Sequence, residues 1–485
     1  MVRGEMPGSR RRRQAIVRAA SGGPDGGGSI FTAPSAWSEW MKRLKILLVQ
    51  TALSDSGPSG PSGLSAPVEA GRLAWLCEPV ALTSLAAVAS DHDVRILDLR
   101  IDGTSALGPA LRTFRPDLVA IAPASDELHD ARTALRVARS LLGSACLTAL
   151  ALPEADLAAA ADQSIDLHLL GDPEPIFHDV LAHLAGGGHP DQLGTLAGVH
   201  ATALGGSPLD TQIRKATSLD RALPPARHLL AAYRPHYFFA VAQPAAAMRA
   251  SRAAPDGRSV QRMSADTICD RLEIIPESFV LFLDDDFFAD PLRLARLAEA
   301  MLRRDVRKYW AVQASPERVA ENPHLVLSLR DAGLAAVILT FDLGESDGLE
   351  MLLDPAIAAR NRRAAGILRA LGVAAMGLFT VRRDLTDDER TRLSEHIREL
   401  GIAWSVTRAA PRRPAVPSPA PLPTALVIDA PGTSGALGAA WEHAAWELLR
   451  RRPRLLMKTL PGVARALGRS FRGRAGISSA AWAPS

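Results

Sequence analysis

Between Lys45 and about Leu184 the chain alternates short apolar runs that stop at polar loops with segments of helical apolar spacing, and few folds accept that pattern. The runs are Lys45–Gln50 (KILLVQ), Val94–Leu99 (VRILDL), Leu118–Pro123 (LVAIAP), Cys146–Leu150 and Ile165–Leu170 (IDLHLL). An unbroken apolar run reads as a strand covered on both faces, the habit of parallel sheets. Pro79–Ala89, the alanine-rich Asp130–Leu142 and Glu174–Leu184 read as helices. Strand and helix in turn predict a doubly wound parallel α/β sheet. Such a sheet takes ligands at the carboxyl ends of its strands, where the strand order reverses.

The alternation resumes further on. Tyr237–Ala242 (YFFAVA) has the aromatic and β-branched content of a strand. Ser264 is placed to cap a helix, with Asp266 in its first turn. Phe279–Phe288 (FVLFLDDDFF) is a strand ending in an acidic cluster, and Asp290–Arg303 is an amphipathic helix. Lys308–Ser315 is a strand, Asn322–Gly333 a helix with a glycine stop, and Ala336–Asp342, Gly372–Thr380 and Ala403–Thr407 are further strands. Repeated βα units predict a partial TIM-type barrel, which presents function at its strand C-termini.

The 485 residues have room for two or three domains. Residues 1–42 read as a disordered extension carrying Arg10–Arg13 and Gly22–Gly28, with Met41 as an alternative start. The first sheet occupies 43–190, a linker 191–235, the partial barrel 236–410, a stiff proline-rich linker 411–425, and a small basic helical region 426–485. After Glu447 the chain carries basic residues from Arg450 to Arg474, interleaved with Leu455, Leu456, Leu460, Val463 and Phe471. That pattern suits an anionic membrane surface or an acidic partner, and equally a surface helix packed on the barrel. A net charge of +4 over this length gives no argument for nucleic acid. No apolar run reaches the roughly 18 residues of a spanning helix. Cys77, Cys146 and Cys269 are widely separated, so they form neither a disulfide framework nor a short metal motif, and they suit a reducing cytoplasm. His168, His178, His183 and His189 read as structural or solvated, since no carboxylate and cysteine set completes a ligand geometry. Asp284-Asp285-Asp286 is a divalent-metal candidate or a solvated strand end beside a helix N-terminus. No phosphate loop, Ser-His-Asp order or His-Glu-x-x-His motif is present, and no catalytic residue is assigned.

Taken in order, several segments resemble the cobalamin-binding radical S-adenosylmethionine (SAM) proteins. Lys45–Gln50, Glu78-Pro79, Val94–Leu99, Arg115–Pro123 and Gly171-Asp172-Pro173-Glu174 resemble the Rossmann-like cobalamin-binding domain that precedes the barrel. Ser218–Pro225 resembles the linker into it, and Gly257-Arg258, Arg262-Met263-Ser264 and Lys308–Ser315 resemble segments of the barrel. The chain is similar to the cobalamin-dependent methylases of this class that include hopanoid-modifying enzymes. The resemblance implies a cobalamin site at Glu78, Gly171, Asp172 and Glu174, and a SAM site at Asp285 and Asp342. Gly344-Glu345-Ser346 spells the family's Gly-x-Glu-Ser a few residues late.

Two departures stand out. The family's Cys-x-x-x-Cys-x-x-Cys positions fall on Ala246, Ala250 and Ala253, while Arg249 survives between them. Those three thiolates hold three irons of a four-iron cluster and leave the fourth to chelate SAM. Alanine has no donor atom, so the iron–sulfur cluster is expected to be absent. In addition, Ala151-Leu152-Pro153-Glu154 stands where relatives carry glycines that let backbone approach the corrin. The expectation is a cluster-less pseudoenzyme or a partner subunit of an intact radical SAM enzyme, with cobalamin and SAM as the implied cofactors. The alternative is a cluster-free methyltransferase that uses cobalamin or SAM.

Overall fold

The computed structural model describes residues 42–52, 73–124, 127–152, 162–202, 214, 217–240, 242–253, 259–343, 348–382, 385–402, 404–409 and 425–427. The N-terminal extension, Gly257-Arg258, Gly344-Glu345-Ser346, the proline-rich linker and the basic C-terminal region lie outside the described residues, apart from 425–427.

The first sheet is built from β1 (Lys45–Gln50), β3 (Asp93–Asp98), β4 (Leu118–Ile121), β5 (Leu147–Leu152), β6 (Leu167–Leu170) and β7 (Val199–Ala201), in the order β3-β1-β4-β5-β6-β7; β2 (Leu73–Leu76) belongs elsewhere. β1 is parallel to both neighbours, with Ile46 opposite Val94 on one side and Leu118 on the other. The order therefore reverses at β1, as the alternation predicts. Both faces are covered. Ile46, Leu48 and Ala120 pack with Leu82 and Leu85 of the helix Val80–Val88 and with Phe177 of the helix Pro173–Ala185. Leu47, Val49 and Val119 pack with Leu111 of the helix Leu107–Phe114 and Leu135 of the helix Leu128–Leu142. That two-sided cover is why these strands read as continuous apolar runs. The sheet also continues beyond the expected segment: β7 adds antiparallel to β6, pairing His200 with His168. Three residues are too few to show a period, so a strand this short is silent in the sequence.

The second sheet consists of β9 (Ala246–Met248), β12 (Phe279–Phe282), β13 (Tyr309–Ala314), β14 (Leu334–Leu343), β15 (Ala374–Val381) and β16 (Trp404–Ala409). They lie in chain order and every neighbouring pair is parallel. Helices cover one face, with Val280, Phe282 and Val312 packing on Leu272, Leu294 and Leu297. Ala247, Phe279, Leu281 and Ala311 on the other face pack with Trp75 and Phe239. These two aromatics come from a small sheet of β2, β8 (Phe238–Phe239) and β17 (Ala425–Val427). The Trp75 and Phe239 rings lie 5.7 Å apart, and Phe239 stacks on Phe279 at 5.3 Å.

The expected first strand of this sheet, Tyr237–Ala242, is therefore displaced. Among its described residues only Phe238–Phe239 is a strand, and it pairs antiparallel with β2. The first strand of the parallel sheet is Ala246–Met248, inside the segment read as a ligand loop. Aromatic content signals burial in an extended segment, not membership of a particular sheet. Local stops and starts agree with expectation. Ser264 accepts a hydrogen bond from Thr267 N and caps the helix Ala265–Ile274. Gly333 has φ +110°, and a Cβ there would lie 2.0 Å from Lys308 O, so only glycine fits this turn.

Candidate functional site

The segment that carries the family's cluster positions leaves β9 and returns as β10 (Ser251–Ala253), paired antiparallel with β11 (Val260–Arg262). Asp284, just past β12, is buried, and both its carboxylate oxygens accept from Ala250 N at 3.0–3.1 Å. The Ser251 hydroxyl donates to the same carboxylate. From the helix Pro291–Arg303, Arg293 Nη1 donates to Ala250 O and Met263 O, each at 3.2 Å. Burial pushes the Asp284 pKa up, and the bonds from Ser251 and Ala250 and the charge of Arg293 oppose that shift. The peptide groups of Ala250 are thus held by buried side chains on both sides.

The side chains of this segment face different surroundings. Ala246 and Ala250 are 3% and 0% exposed and belong to the apolar cluster with Met263, Ile268 and Leu272, between the sheet and its helices. Ala247 faces the opposite cluster, and Ala253 is half-buried. Cys77, Cys146 and Cys269 are buried, and burial drives their thiols up to about 12, 11 and 11 respectively. Burial thus favours the neutral thiol over the thiolate in each. Among the described residues no group of three His, Cys, Asp or Glu side chains is placed to hold a metal ion. The residues of this segment do not fit the iron–sulfur cluster that the family pattern implies.

The acidic triplet divides into separate tasks. Asp284 holds the segment just described. Asp285 O accepts from Gln313 Nε2 at 2.7 Å, which leaves the buried Gln313 Oε1 without a partner. Asp286 accepts from Phe288 N and pairs with Arg318 at 2.6 Å. Asp285 and Asp342 stand at the carboxyl ends of β12 and β14, and Asp342 is exposed.

The cobalamin-like positions of the first half reach the same segment. Gly171, at φ +110°, makes the turn after β6, and its N–H donates to Leu152 O. Asp172 is buried; it accepts from Thr217 N at 2.8 Å and pairs with Arg252 at 2.6 Å. Glu174 accepts from the other arm of Arg252, also at 2.6 Å. Burial raises the Asp172 pKa to about 6 against the pull of Arg252. At Glu174 burial also works upward, but the charge of Arg252 and the hydrogen bonds to the carboxylate together outweigh it and the pKa falls. Glu78 is buried and accepts from Ala247 N at 2.8 Å and from Arg227 Nε at 2.9 Å, while Arg227 Nη2 donates to Ala247 O at 2.6 Å. The structure therefore gives Glu78, Asp172 and Glu174 arginine partners inside the chain, and joins two sites that the sequence suggests separately.

Other polar groups collect at the carboxyl ends of β1 and β3. Asp98 is fully buried and is bound by two arms of Arg100, at 2.8 and 2.6 Å. It also accepts from the Tyr237 hydroxyl at 3.0 Å. Arg100 reaches Cys77 O, and Gln50 donates to Glu127. Thr51 follows β1, fully buried, with its hydroxyl unpartnered. Sequence reasoning missed this network, as it missed Arg252 and Arg293. Its one local signal is the Asp98-Leu99-Arg100 step at the end of an apolar run. His168 and His200 form a buried cross-strand pair at the far edge, and burial lowers the His168 pKa to about 4.

No family model matches the chain. It is 25% identical over 317 residues to the hopanoid C-3 methylase of Methylococcus capsulatus (strain ATCC 33009 / NCIMB 11132 / Bath), covering 61% of this chain and 59% of that relative. Its fold is similar to that of the cobalamin-dependent SAM radical enzyme OxsB solved with aqua-cobalamin and SAM bound, with a TM-score of 0.52 and 13% identity. The same values hold for OxsB solved with aqua-cobalamin bound. That match covers 73% of this chain and 52% of OxsB. The chain thus spans between about half and three fifths of the length of the proteins it matches. Among the described residues no helix is long and apolar enough to cross a membrane.

Proposed function

We propose that this chain is a non-radical relative of the cobalamin-dependent radical SAM methylases, acting as a cofactor- or substrate-binding partner of an intact enzyme of that class. One observation carries the reading. Two of the three positions that would ligate the cluster are buried alanines, and the segment bearing them is held by Asp284 and Arg293 and, through its own Arg252, by Asp172 and Glu174. Without a cluster there is no electron source to cleave SAM.

Cobalamin remains part of the proposal. When bound, it supplies a cobalt centre able to carry a methyl group. In this chain the corrin would lie at the carboxyl ends of β1 and β4, where the strand order reverses. The unpartnered Thr51 hydroxyl supports that placement, since an orphaned buried polar group is costly unless a ligand answers it. SAM would lie at the carboxyl ends of β12–β14, near Asp285, Asp342 and the unpartnered Gln313 Oε1. That free acceptor favours a second reading, cluster-free methyl transfer from SAM or methylcobalamin. The basic C-terminal region would bring the protein to an anionic membrane surface from the cytoplasm.

The test has two parts on the full chain. Anaerobic reconstitution with iron and sulfide is expected to leave only adventitious iron and no cluster absorbance. A full cluster's complement of iron would overturn the non-radical reading. Hydroxocobalamin titration followed by gel filtration is expected to give co-elution of corrin with protein. If corrin does not co-elute, the cobalamin part of the proposal fails and a plain scaffold subunit is left. SAM retained in equilibrium dialysis, with methyl transfer to a thiol acceptor, would replace the partner reading by the enzymatic one.

A further inference from the structure

We infer that the segment Ala246–Ala253 has become a keystone that fuses the two halves of the molecule, whether or not a corrin binds. Three grips fall within six residues, and each uses a buried charged side chain. At one end, Glu78 and Arg227 bracket the peptide of Ala247 from both sides: Ala247 N donates to Glu78 at 2.8 Å, and Arg227 donates to Ala247 O at 2.6 Å. In the middle, Asp284 takes the N–H of Ala250 and Arg293 donates to its carbonyl. At the other end, Arg252 spreads its fork across Asp172 and Glu174 at the start of the helix Pro173–Ala185. The outer two grips cross from the first half to the second, and the middle one ties the segment to its own sheet.

The chemistry makes this arrangement hard to undo piecemeal. Glu78 and Asp172 are 3% and 2% exposed, so a partner removed from either leaves a buried carboxylate uncompensated. Arg252 suits its place because a planar guanidinium can serve two carboxylates at once, which an ammonium cannot do with the same geometry. The turn at Gly171–Glu174 and the segment Ala246–Ala253 are thereby one mechanical unit. A displacement of either is felt by the other.

Hydrogen exchange on the full chain tests the inference. In Arg252→Met, exchange is expected to rise by about tenfold or more in two places together, the peptide spanning Ala246–Arg252 and the peptide spanning Gly171–Phe177. A rise in one without the other, or in neither, overturns the keystone. Arg252→Lys guards against a misfolded variant and is expected to give a smaller rise in the same two places. A thiol probe reads the middle grip independently, because the native cysteines are all buried. The thiol of Ala250→Cys is expected to resist a bulky thiol reagent, whereas that of Ala253→Cys reacts. Adding Asp284→Asn is expected to open the Ala250→Cys thiol to the reagent. Rapid reaction of Ala250→Cys with Asp284 intact would show that the segment is not held as described.

Discussion

The carboxyl ends of the two parallel sheets solve the same problem in different ways. Both gather charged side chains away from water, and both must partner them. At the first sheet the counter-charge is near in sequence: Asp98 is bound by Arg100, two residues on, while the neutral Tyr237 hydroxyl reaches it across 139 residues. At the second sheet the partners are distant. Asp284 holds a peptide 34 residues away, and Arg252 meets Glu174 across 78 residues. The first end is neutralised by a neighbouring residue and leaves the Thr51 hydroxyl unpartnered, while the second is drawn into holding the segment Ala246–Ala253. A local counter-charge neutralises a buried acid without help from a distant segment. A long-range one fixes how two parts of the chain meet.

Mutation at each end separates the two solutions. The largest effect is expected from Arg100→Met, which leaves the fully buried Asp98 without its counter-charge and costs about 3–5 kcal/mol in urea unfolding. An effect below 1 kcal/mol, on the order of a surface pair, would mean that Asp98 finds water or another partner. A smaller loss is expected from Asp284→Asn. It keeps one acceptor for Ala250 but removes the charge facing Arg293, at a cost of about 1.5–3 kcal/mol by the same measurement. If Asp284→Asn proves the costlier of the two, the second strand end, not the first, is the main electrostatic anchor.

The edge of the first sheet supplies a third and smaller contrast, read through pH. Burial holds the His168 pKa near 4, below its value of about 6.5 in an unfolded chain. Between those values the unfolded state binds more protons, so stability is present above about pH 6.5 and is lost as pH falls through about 4. His168→Leu should flatten that part of the stability–pH curve. Asp172 works in the opposite sense. With its pKa raised to about 6, its contribution is present below the unfolded value near 3.9 and is lost as pH rises through 6. A curve that does not flatten in His168→Leu would assign the acid sensitivity elsewhere.

Much of this was legible from the residues. β1, β3, β4, β5 and β6 lie where apolar runs place them, because each is covered on both faces and must be apolar throughout. The Ser264 cap and the Gly333 stop were legible because a few neighbouring atoms decide them. The first strand of the second sheet was not. Tyr237–Ala242 has the stronger strand composition, yet Ala246–Met248 pairs with β12, since a place beside Val280–Phe282 depends on register and not on propensity. The candidate sites divide along the same line. Glu78, Asp172 and Glu174 could be picked out by resemblance, but nothing local shows that Arg227 and Arg252 reach them.

The sequence by itself determined that the chain alternates strand and helix in two runs, and that no thiol stands at Ala246, Ala250 or Ala253. Both are properties of residues in place, readable from side-chain chemistry and period alone. Only the tertiary structure decided that Ala246 and Ala250 face an apolar core, and that their segment is gripped by Glu78, Asp284 and Asp172. Those contacts join residues far apart in the chain. Burial and ion pairing between such residues are fixed by how sheets and helices pack, and local sequence does not encode that packing.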